Sequence, residues 1–249
     1  MTVLQLSNIG HAFLGRTVLD VINLEVCADE LVALVGPSGS GKSTLAHIAA
    51  GLIDQRRGKI RRNYHRHSVI FQEPRLMPWA TAADNIAFGL KGRRLGCTIC
   101  CQRVESAAAL AALDACDLNK FPSQLSGGMR QRVAIARALI AEPDFIYFDE
   151  PFTALDVALK RRMQDIVVDI IAGSGRAGLF ITHDLSEAVR IAHRIVVLDR
   201  HGRGIVGSRA VPSSPGLRDD RMIFETVQTF LNEDQLFAHV NDYDERAII

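Results

Sequence analysis

The first stretch of the chain alternates apolar and polar positions, whereas later stretches run apolar without a break. In VLQLSNIGHAF (residues 3–13) and VINLEV (residues 21–26) the alternation is partial, which predicts an antiparallel sheet with one face on a core and one in water. LVALVG (residues 31–36) is instead a short continuous apolar run ending in glycine, and SVIF, FIYFD, GLFIT and RIVVLD repeat that type. Such runs suit strands buried on both faces. Helical patterns separate them at residues 42–50, 157–172 and 185–192. Buried strands alternating with helices predict an α/β core around a parallel sheet.

Between Pro74 and about Ile140 the strand signals vanish. RVESAAALAALDAC and MRQRVAIARALIA place strong helix formers at helical spacing, so residues 74–140 read as an α-helical subdomain inserted into the α/β body. That body covers residues 1–207. Residues 208–249 read as a tail: SRAVPSSPGLRDD is a turn-rich linker, and MIFETVQTFLNEDQLFAHV is a short amphipathic helix.

Composition narrows the partners. The 249 residues are 48% apolar, and 29 Lys and Arg nearly balance 28 Asp and Glu, a globular profile without a general affinity for polyanions. No apolar run reaches the roughly 18 residues that span a bilayer. The start, MTVLQLSNIG, lacks the basic and apolar regions of a signal peptide, so a cytosolic or membrane-peripheral protein is expected. Five cysteines are present, and Cys97, Cys100, Cys101 and Cys116 cluster. The spacing of CTICC with Cys116 is compatible with a four-thiolate zinc site. No second ligand pair occurs at finger spacing, which favours reduced cysteines acting as small apolar residues on a helix.

GPSGSGKST fits the pattern G-x-x-x-x-G-K-[ST] and sits after a buried run and before a helix, where a phosphate-cradling loop has to be. Its residues are Gly36, Pro37, Ser38, Gly39, Ser40, Gly41, Lys42, Ser43 and Thr44. The glycines let backbone N–H groups face a β-phosphate, Lys42 reaches the β/γ oxygens, and the Ser43 hydroxyl is a candidate Mg²⁺ ligand. FIYFDE puts Asp149 and Glu150 at the end of a buried strand, where ligands bind in open α/β sheets. Asp149 is a candidate Mg²⁺ partner through water, and Glu150 a candidate general base for the attacking water. Together these motifs imply ATP hydrolysis. GRGIVG (residues 202–207) matches a dinucleotide fingerprint, but the segment after it cannot open a helix, so it is expected to be a hairpin turn.

LSGGMRQR (residues 125–132) is a second glycine turn opening a helix, and again suited to an anion. In order along the chain stand the Lys42 loop, Gln72 in FQEP, LSGG, FIYFDEP, TALD ending at Asp156, and ITHD with His183. With these motifs residues 1–207 resemble the ATP-binding subunit of an ATP-binding cassette (ABC) transporter. The resemblance implies a P-loop NTPase (RecA-like) core with an N-terminal antiparallel β subdomain. It also implies a dimer in which Ser126, Gly127 and Gly128 of one subunit close over the γ-phosphate held by Lys42 of the other, most simply in a homodimer. Phe13 falls where the family has an adenine-stacking aromatic, usually Tyr. Gln72 would contact Mg²⁺ and the water and link the site to the helical lobe. His183 would contact the γ-phosphate and steady Glu150, and Asp156 would run along the dimer interface.

One departure stands out: the segment between Gly51 and Gln72 is short, and DQRRGKIRRNYHRH replaces a longer hairpin. Its basic run from residue 56 to 67 is most simply a solvated surface, and His65 and His67 are spaced to share a strand face. Leu76, Met77, Pro78 and Trp79 come shortly after Gln72. Trp79 either anchors the helical lobe's core or lines a groove for a helix of a membrane-embedded permease. QEPRLMPW and the tail resemble importers of the nitrate, sulfonate, taurine and bicarbonate group. That implies a bacterial uptake system on the cytoplasmic face of the inner membrane, with permease subunits, a solute-binding protein and a small, anionic nutrient. A nucleic-acid partner is not expected. The alternative, a soluble cassette ATPase acting on ribosomes or nucleic acid, would call for a tandem cassette or a coiled-coil insertion, and neither is present. A cassette that only senses ATP is opposed by Glu150, Gln72 and His183 occurring together.

Overall fold

The computed structural model describes residues 1–172 and 175–237. In chain order its elements begin with strands β1 (Thr2–Phe13), β2 (Arg16–Cys27) and β3 (Leu31–Val35), helix α1 (Lys42–Ala50), and strands β4 (Arg57–Arg62) and β5 (His67–Ile70). Helices α2 (Ala82–Ala87), α3 (Cys97–Leu110) and α4 (Gly127–Leu139) come next, then β6 (Phe145–Asp149) and α5 (Val157–Ile171). The chain continues through β7 (Ala177–Ile181), α6 (Leu185–Ile191), β8 (Arg194–Leu198), β9 (Ile205–Ala210) and α7 (Asp220–Glu233). Two compact units result, Met1–His65 with Val167 onward, and Arg66–Ile166.

In the first unit β1 pairs antiparallel with β2 on one side and β4 on the other. The register sets Leu4 opposite Val26, Leu6 opposite Leu24 and Ile9 opposite Ile22, and all six are buried. The alternating pattern thus forms the half-wet sheet expected of it. Gly58 has a φ of 96°, and a Cβ there would sit 2.5 Å from the carbonyl oxygens of Ser7 and Asn8, so only glycine lets β4 lie against the bulged middle of β1.

Strand β3 pairs in parallel with β7 and β8, while β9 returns antiparallel along β8. Every residue of β3 and β7 is buried, as the continuous apolar runs predict. The turn after β8 carries Gly202 and Gly204 at positive φ and leads into strand β9 rather than a helix, which bears out the hairpin reading of GRGIVG. The tail differs from its predicted pattern in two places. Ser208, Arg209 and Ala210, read as linker, complete β9 by pairing with Val196, Ile195 and Arg194; their exposed side chains, two of them polar, hid an edge strand. Helix α7 starts at Asp220, because Asp219 accepts a hydrogen bond from the Met222 N–H at 2.7 Å, and it ends at Glu233. Residues 238–240 of the predicted helix lie outside the described residues.

The tail packs firmly. Ile223, Val227, Phe230 and Phe237 join Ala33, Val35, Leu185 and Val197 in one core, and Phe230 and Phe237 stack at 4.7 Å. Arg218, buried, donates to the carbonyls of Val189 (2.6 Å), Ala192 (2.8 Å) and Pro212 (2.8 Å). Burial lowers its pKa to about 10, and the carbonyls at the end of α6 offset the desolvation.

The basic run is a surface, as expected: Arg56, Arg57, Lys59, Arg61, Arg62, His65, Arg66 and His67 are all exposed. Two of these side chains also hold structure. Arg62 donates to the Ala49 (2.7 Å) and Ile48 (3.0 Å) carbonyls at the end of α1, and Arg57 pairs with Asp20. The shared strand face predicted for His65 and His67 does not form, since His65 lies in a bend and His67 opens β5.

In the second unit β5 runs parallel to β6. Helices α2, α3 and α4 pack on a core that includes Ile86, Leu90, Val104, Ala107, Val133, Ala136 and Ile140. The favoured reading of the cysteines as apolar fillers holds for one of the four. Cys97, Cys101 and Cys116 are exposed, so only the half-buried Cys100 packs against the helical core. Among the described residues no three His, Cys, Asp or Glu side chains are grouped as metal ligands.

Candidate nucleotide site

The phosphate loop is built by the backbone. Strand β3 delivers the chain to Gly36, and Gly39 and Gly41 turn it with φ of 77° and 97°, the left-handed region that costs other residues strain. A Cβ on Gly41 would meet Leu19 Cδ2 at 2.9 Å, so this glycine also allows the loop to seat on β2. Helix α1 opens at Lys42 with no side-chain cap and no acidic residue in its first turn. Its leading N–H groups and positive dipole end therefore remain available to an anion. The Lys42 ammonium, buried, folds back onto the carbonyls of Gly36 (2.7 Å) and Pro37 (2.8 Å). Ser38 and Gly39 are exposed, while Ser43 and Thr44 are half-buried.

Two buried polar groups in and near this loop lack partners: Ser40, a residue of the motif itself, and His11, which carries no motif and was missed by sequence reasoning. Ser40 is buried and its hydroxyl has no hydrogen-bond partner. His11 is buried with neither ring nitrogen paired, and it lines a cleft of about 390 Å³ with Leu19, Thr17, Asp20, Arg56 and Arg57. Phe13 is 46% exposed and meets the His11 ring edge-on at 4.5 Å.

His183, exposed, follows β7 in the same unit. Its neighbours are fixed: Thr182 donates to the buried Glu187 and accepts from the Asp184 N–H at 3.0 Å. Asp184 in turn caps α6 through the Ser186 and Glu187 N–H groups. The histidine is thus carried on an anchored turn.

In the second unit Asp149 ends β6 and is buried. Glu150 is next, with a φ of 44°, a left-handed conformation that costs a non-glycine residue about 1–3 kcal/mol and clusters at functional positions. Thr153 Oγ1 donates to the Glu150 carbonyl at 3.1 Å and braces that turn. Asp156 accepts the Leu159 N–H at 3.0 Å and so caps α5. By chemistry, the Ser43 hydroxyl, the Gln72 amide and the buried Asp149 carboxylate all offer oxygen, the donor that suits a hard cation such as Mg²⁺.

The second glycine turn is made differently. Ser126, exposed, is the N-cap of α4 and accepts the Met129 N–H at 3.2 Å. Arg130 donates to the Leu125 carbonyl at 2.8 Å. A Cβ on Gly128 would stand 3.3 Å from the Ala154 carbonyl oxygen, so the turn's second glycine permits a close approach to the TALD segment.

Exposed Gln72 sits on a stretch held at both flanks by α4. Gln131 Nε2 donates to the Phe71 carbonyl at 3.0 Å, and Arg137 donates to the carbonyls of Pro74 (2.8 Å) and Arg75 (2.9 Å). The Arg75 guanidinium lies 4.1 Å over the Phe71 ring. Gln131 is buried with its Oε1 unpaired. Neither anchoring contact was legible in the sequence, because a polar side chain inside a helical run carries no signal of where it points.

Trp79 is 77% exposed, so it does not anchor the helical core. Leu76 does pack there. Buried Asn85 shapes the turn between them by accepting the Met77 N–H at 2.8 Å and donating to the Met77, Ala80 and Thr81 carbonyls.

The predicted site residues thus fall into two sets. Phe13, the Gly36–Thr44 loop and His183 belong to the first unit, and Gln72, Ser126–Gly128, Asp149 and Glu150 to the second.

Comparison with known proteins extends this picture. A family model described as ABC transporter matches residues 19–153. An aliphatic sulfonates import ATP-binding protein of Pseudomonas savastanoi is 43% identical over 195 residues, 78% of this chain and 70% of the relative. Another, from Nocardia farcinica, is 39% identical over 230 residues, 91% of this chain and 89% of the relative. Among solved structures, the dimeric bacterial ABC transporter cassette MJ0796 superposes with a TM-score of 0.79 at 27% identity, covering 84% of this chain and 99% of that one. The dimeric post-hydrolysis state of the same cassette, bound to ADP and Pi, gives 0.78 at the same identity and coverage.

Proposed function

We propose, from the premise that this chain belongs to the ABC transporter family, that it binds and hydrolyses ATP to drive import of small aliphatic sulfonates. The observation that carries the reading is the loop of residues 36–44, with its left-handed glycines, uncapped helix end and folded-in Lys42. The sulfonate assignment rests on what its relatives import. Those relatives are importers, which leaves the ribosome or nucleic-acid alternative without support. No described helix is long and apolar enough to cross a membrane, so transport requires permease subunits. The chain would sit peripherally at the cytoplasmic face beneath them, fed by a solute-binding protein.

Lys42 leaves the Gly36 and Pro37 carbonyls for the β/γ-phosphate oxygens, exchanging two neutral acceptors for charged ones. The α1 N–H groups hold the β-phosphate, and Phe13 stacks on adenine. Ser43, Gln72 and Asp149 would hold Mg²⁺, which supplies charge neutralisation on the β/γ oxygens. Glu150 takes a proton from the attacking water, and His183 orients it against the γ-phosphate. Ser126, Gly127 and Gly128 of a second copy complete the phosphate's coordination, so ATP bridges two subunits and hydrolysis releases them.

Gel filtration with MgATP tests this. Glu150→Gln should bind ATP, fail to hydrolyse it and elute as a dimer. A variant that binds ATP yet stays monomeric at every concentration would overturn the bridged arrangement.

A further inference from the structure

The turn between β8 and β9, which carries the GRGIVG pattern, lies against the phosphate loop. Its Gly202 is buried, with a φ of 67°. A Cβ on Gly202 would stand 1.9 Å from the Val18 carbonyl oxygen and 2.9 Å from that of Ser40. The turn's backbone therefore touches β2 and the middle of the loop at once, at a separation that only glycine permits. The end of β8 adds a second contact, since a Cβ on Gly36 would stand 3.0 Å from the Leu198 carbonyl oxygen.

The turn is itself held in place. The Asp20 N–H donates to the Gly202 carbonyl at 2.8 Å, and the Gly202 N–H donates to the Asp199 carbonyl at 2.9 Å. The Asp199 carboxylate accepts the N–H groups of His201 (2.8 Å) and Arg203 (3.2 Å). Ser40, by contrast, has a buried hydroxyl without a partner, so its side chain does not fix the loop. Its carbonyl belongs to the same planar, trans peptide as the Gly41 N–H, and the two point in opposite directions. Whatever seats on the Ser40 carbonyl thus sets where the Gly41 N–H points. We propose that the β8–β9 turn is a positioning element of the phosphate loop, with Gly202 as the positioning residue. Resting on the nucleotide reading of residues 36–44, the assignment has Gly202 pin the Ser40 carbonyl so that the Gly41 N–H faces the phosphate before nucleotide arrives. A loop already in its binding conformation loses less freedom on binding.

Steady-state hydrolysis by the full-length chain, with equilibrium dialysis of ADP, tests the turn. Gly202→Ala pushes on the Ser40 carbonyl, and Asp199→Ala loosens the turn without adding a Cβ. Each should raise KM for ATP and Kd for ADP by a common factor of about tenfold, as when one loop in ten is competent, with kcat kept. Gly92→Ala is the control: Gly92 has a φ of 89° in the second unit with open space at its Cβ position. It carries similar backbone strain, so it should lower the melting temperature and leave KM unchanged. A normal KM in both turn variants, or an equal rise in Gly92→Ala, would overturn the proposal, as would a loss of kcat at unchanged KM. Failure of the wild-type chain to bind ATP would sink the nucleotide reading and the proposal with it, whereas the former outcomes sink the proposal alone.

Discussion

The two glycine turns that open helices look alike in sequence and are built on opposite plans. At residues 36–44 the helix end is uncapped, two glycines adopt left-handed φ, and a buried lysine supplies charge. At residues 126–128 a serine side chain takes one of the leading N–H groups, the glycines keep ordinary φ, and the nearest guanidinium is turned onto the Leu125 carbonyl. The first turn can hold a polyanion by itself. The second has one leading N–H already capped and its guanidinium engaged elsewhere, so in the proposed function it supplements a phosphate held by the first. A shared motif class therefore does not mean a shared task.

The largest test of this contrast is Lys42→Ala, which removes a charge-assisted contact from the self-sufficient loop. ATP affinity should fall by about 100-fold, in the range expected for hydrogen bonds to charged groups with a buried partner lost, and equilibrium dialysis would measure it. Near-normal affinity would mean that the first loop is not the primary phosphate site. At Ser126 the cap and the phosphate contact can be separated. Ser126→Ala should cost about 1 kcal/mol of stability and slow hydrolysis. Ser126→Asp should keep the cap and the melting temperature but repel the γ-phosphate, so turnover falls while nucleotide affinity holds; normal turnover in Ser126→Asp would remove the second turn from the site.

Smaller effects sharpen the picture. Gln131→Met keeps the shape of the side chain without the donor to Phe71, and should lower kcat several-fold with ATP affinity unchanged, roughly the effect of one hydrogen bond. A change in affinity rather than kcat would mark Gln131 as merely structural. Trp79→Ala should shift stability by less than about 0.5 kcal/mol because the ring is exposed, yet weaken co-purification with the permease. A large loss of stability would return Trp79 to the core.

Much of this was legible in the pattern of residues. The continuous runs at β3, β6 and β7 announced buried strands because a strand covered on both faces has no polar side to interrupt it. The Lys42 loop and the Asp149–Glu150 pair were legible because strand-end chemistry needs particular residue types at fixed spacing. What stayed hidden depends on direction in space. Ser208, Arg209 and Ala210 read as linker because an edge strand pairs on one side only and need not be apolar. Cys97 and Cys101 read as fillers because spacing alone does not say which face of a helix is wet. His11 and Gln131 are single polar residues whose interest lies in unpaired buried atoms, a property no local pattern encodes.

The double attachment of residues 71–75 to α4 has a mechanical corollary. With Gln131 gripping one side of Gln72 and Arg137 the other, the glutamine has little slack relative to the helix. A displacement at Gln72 is therefore passed to the Ser126 end of α4 instead of being absorbed as loop bending. By reciprocity, a ligand seated at the Ser126 end is expected to bias Gln72 as much as one held by Gln72 biases that end.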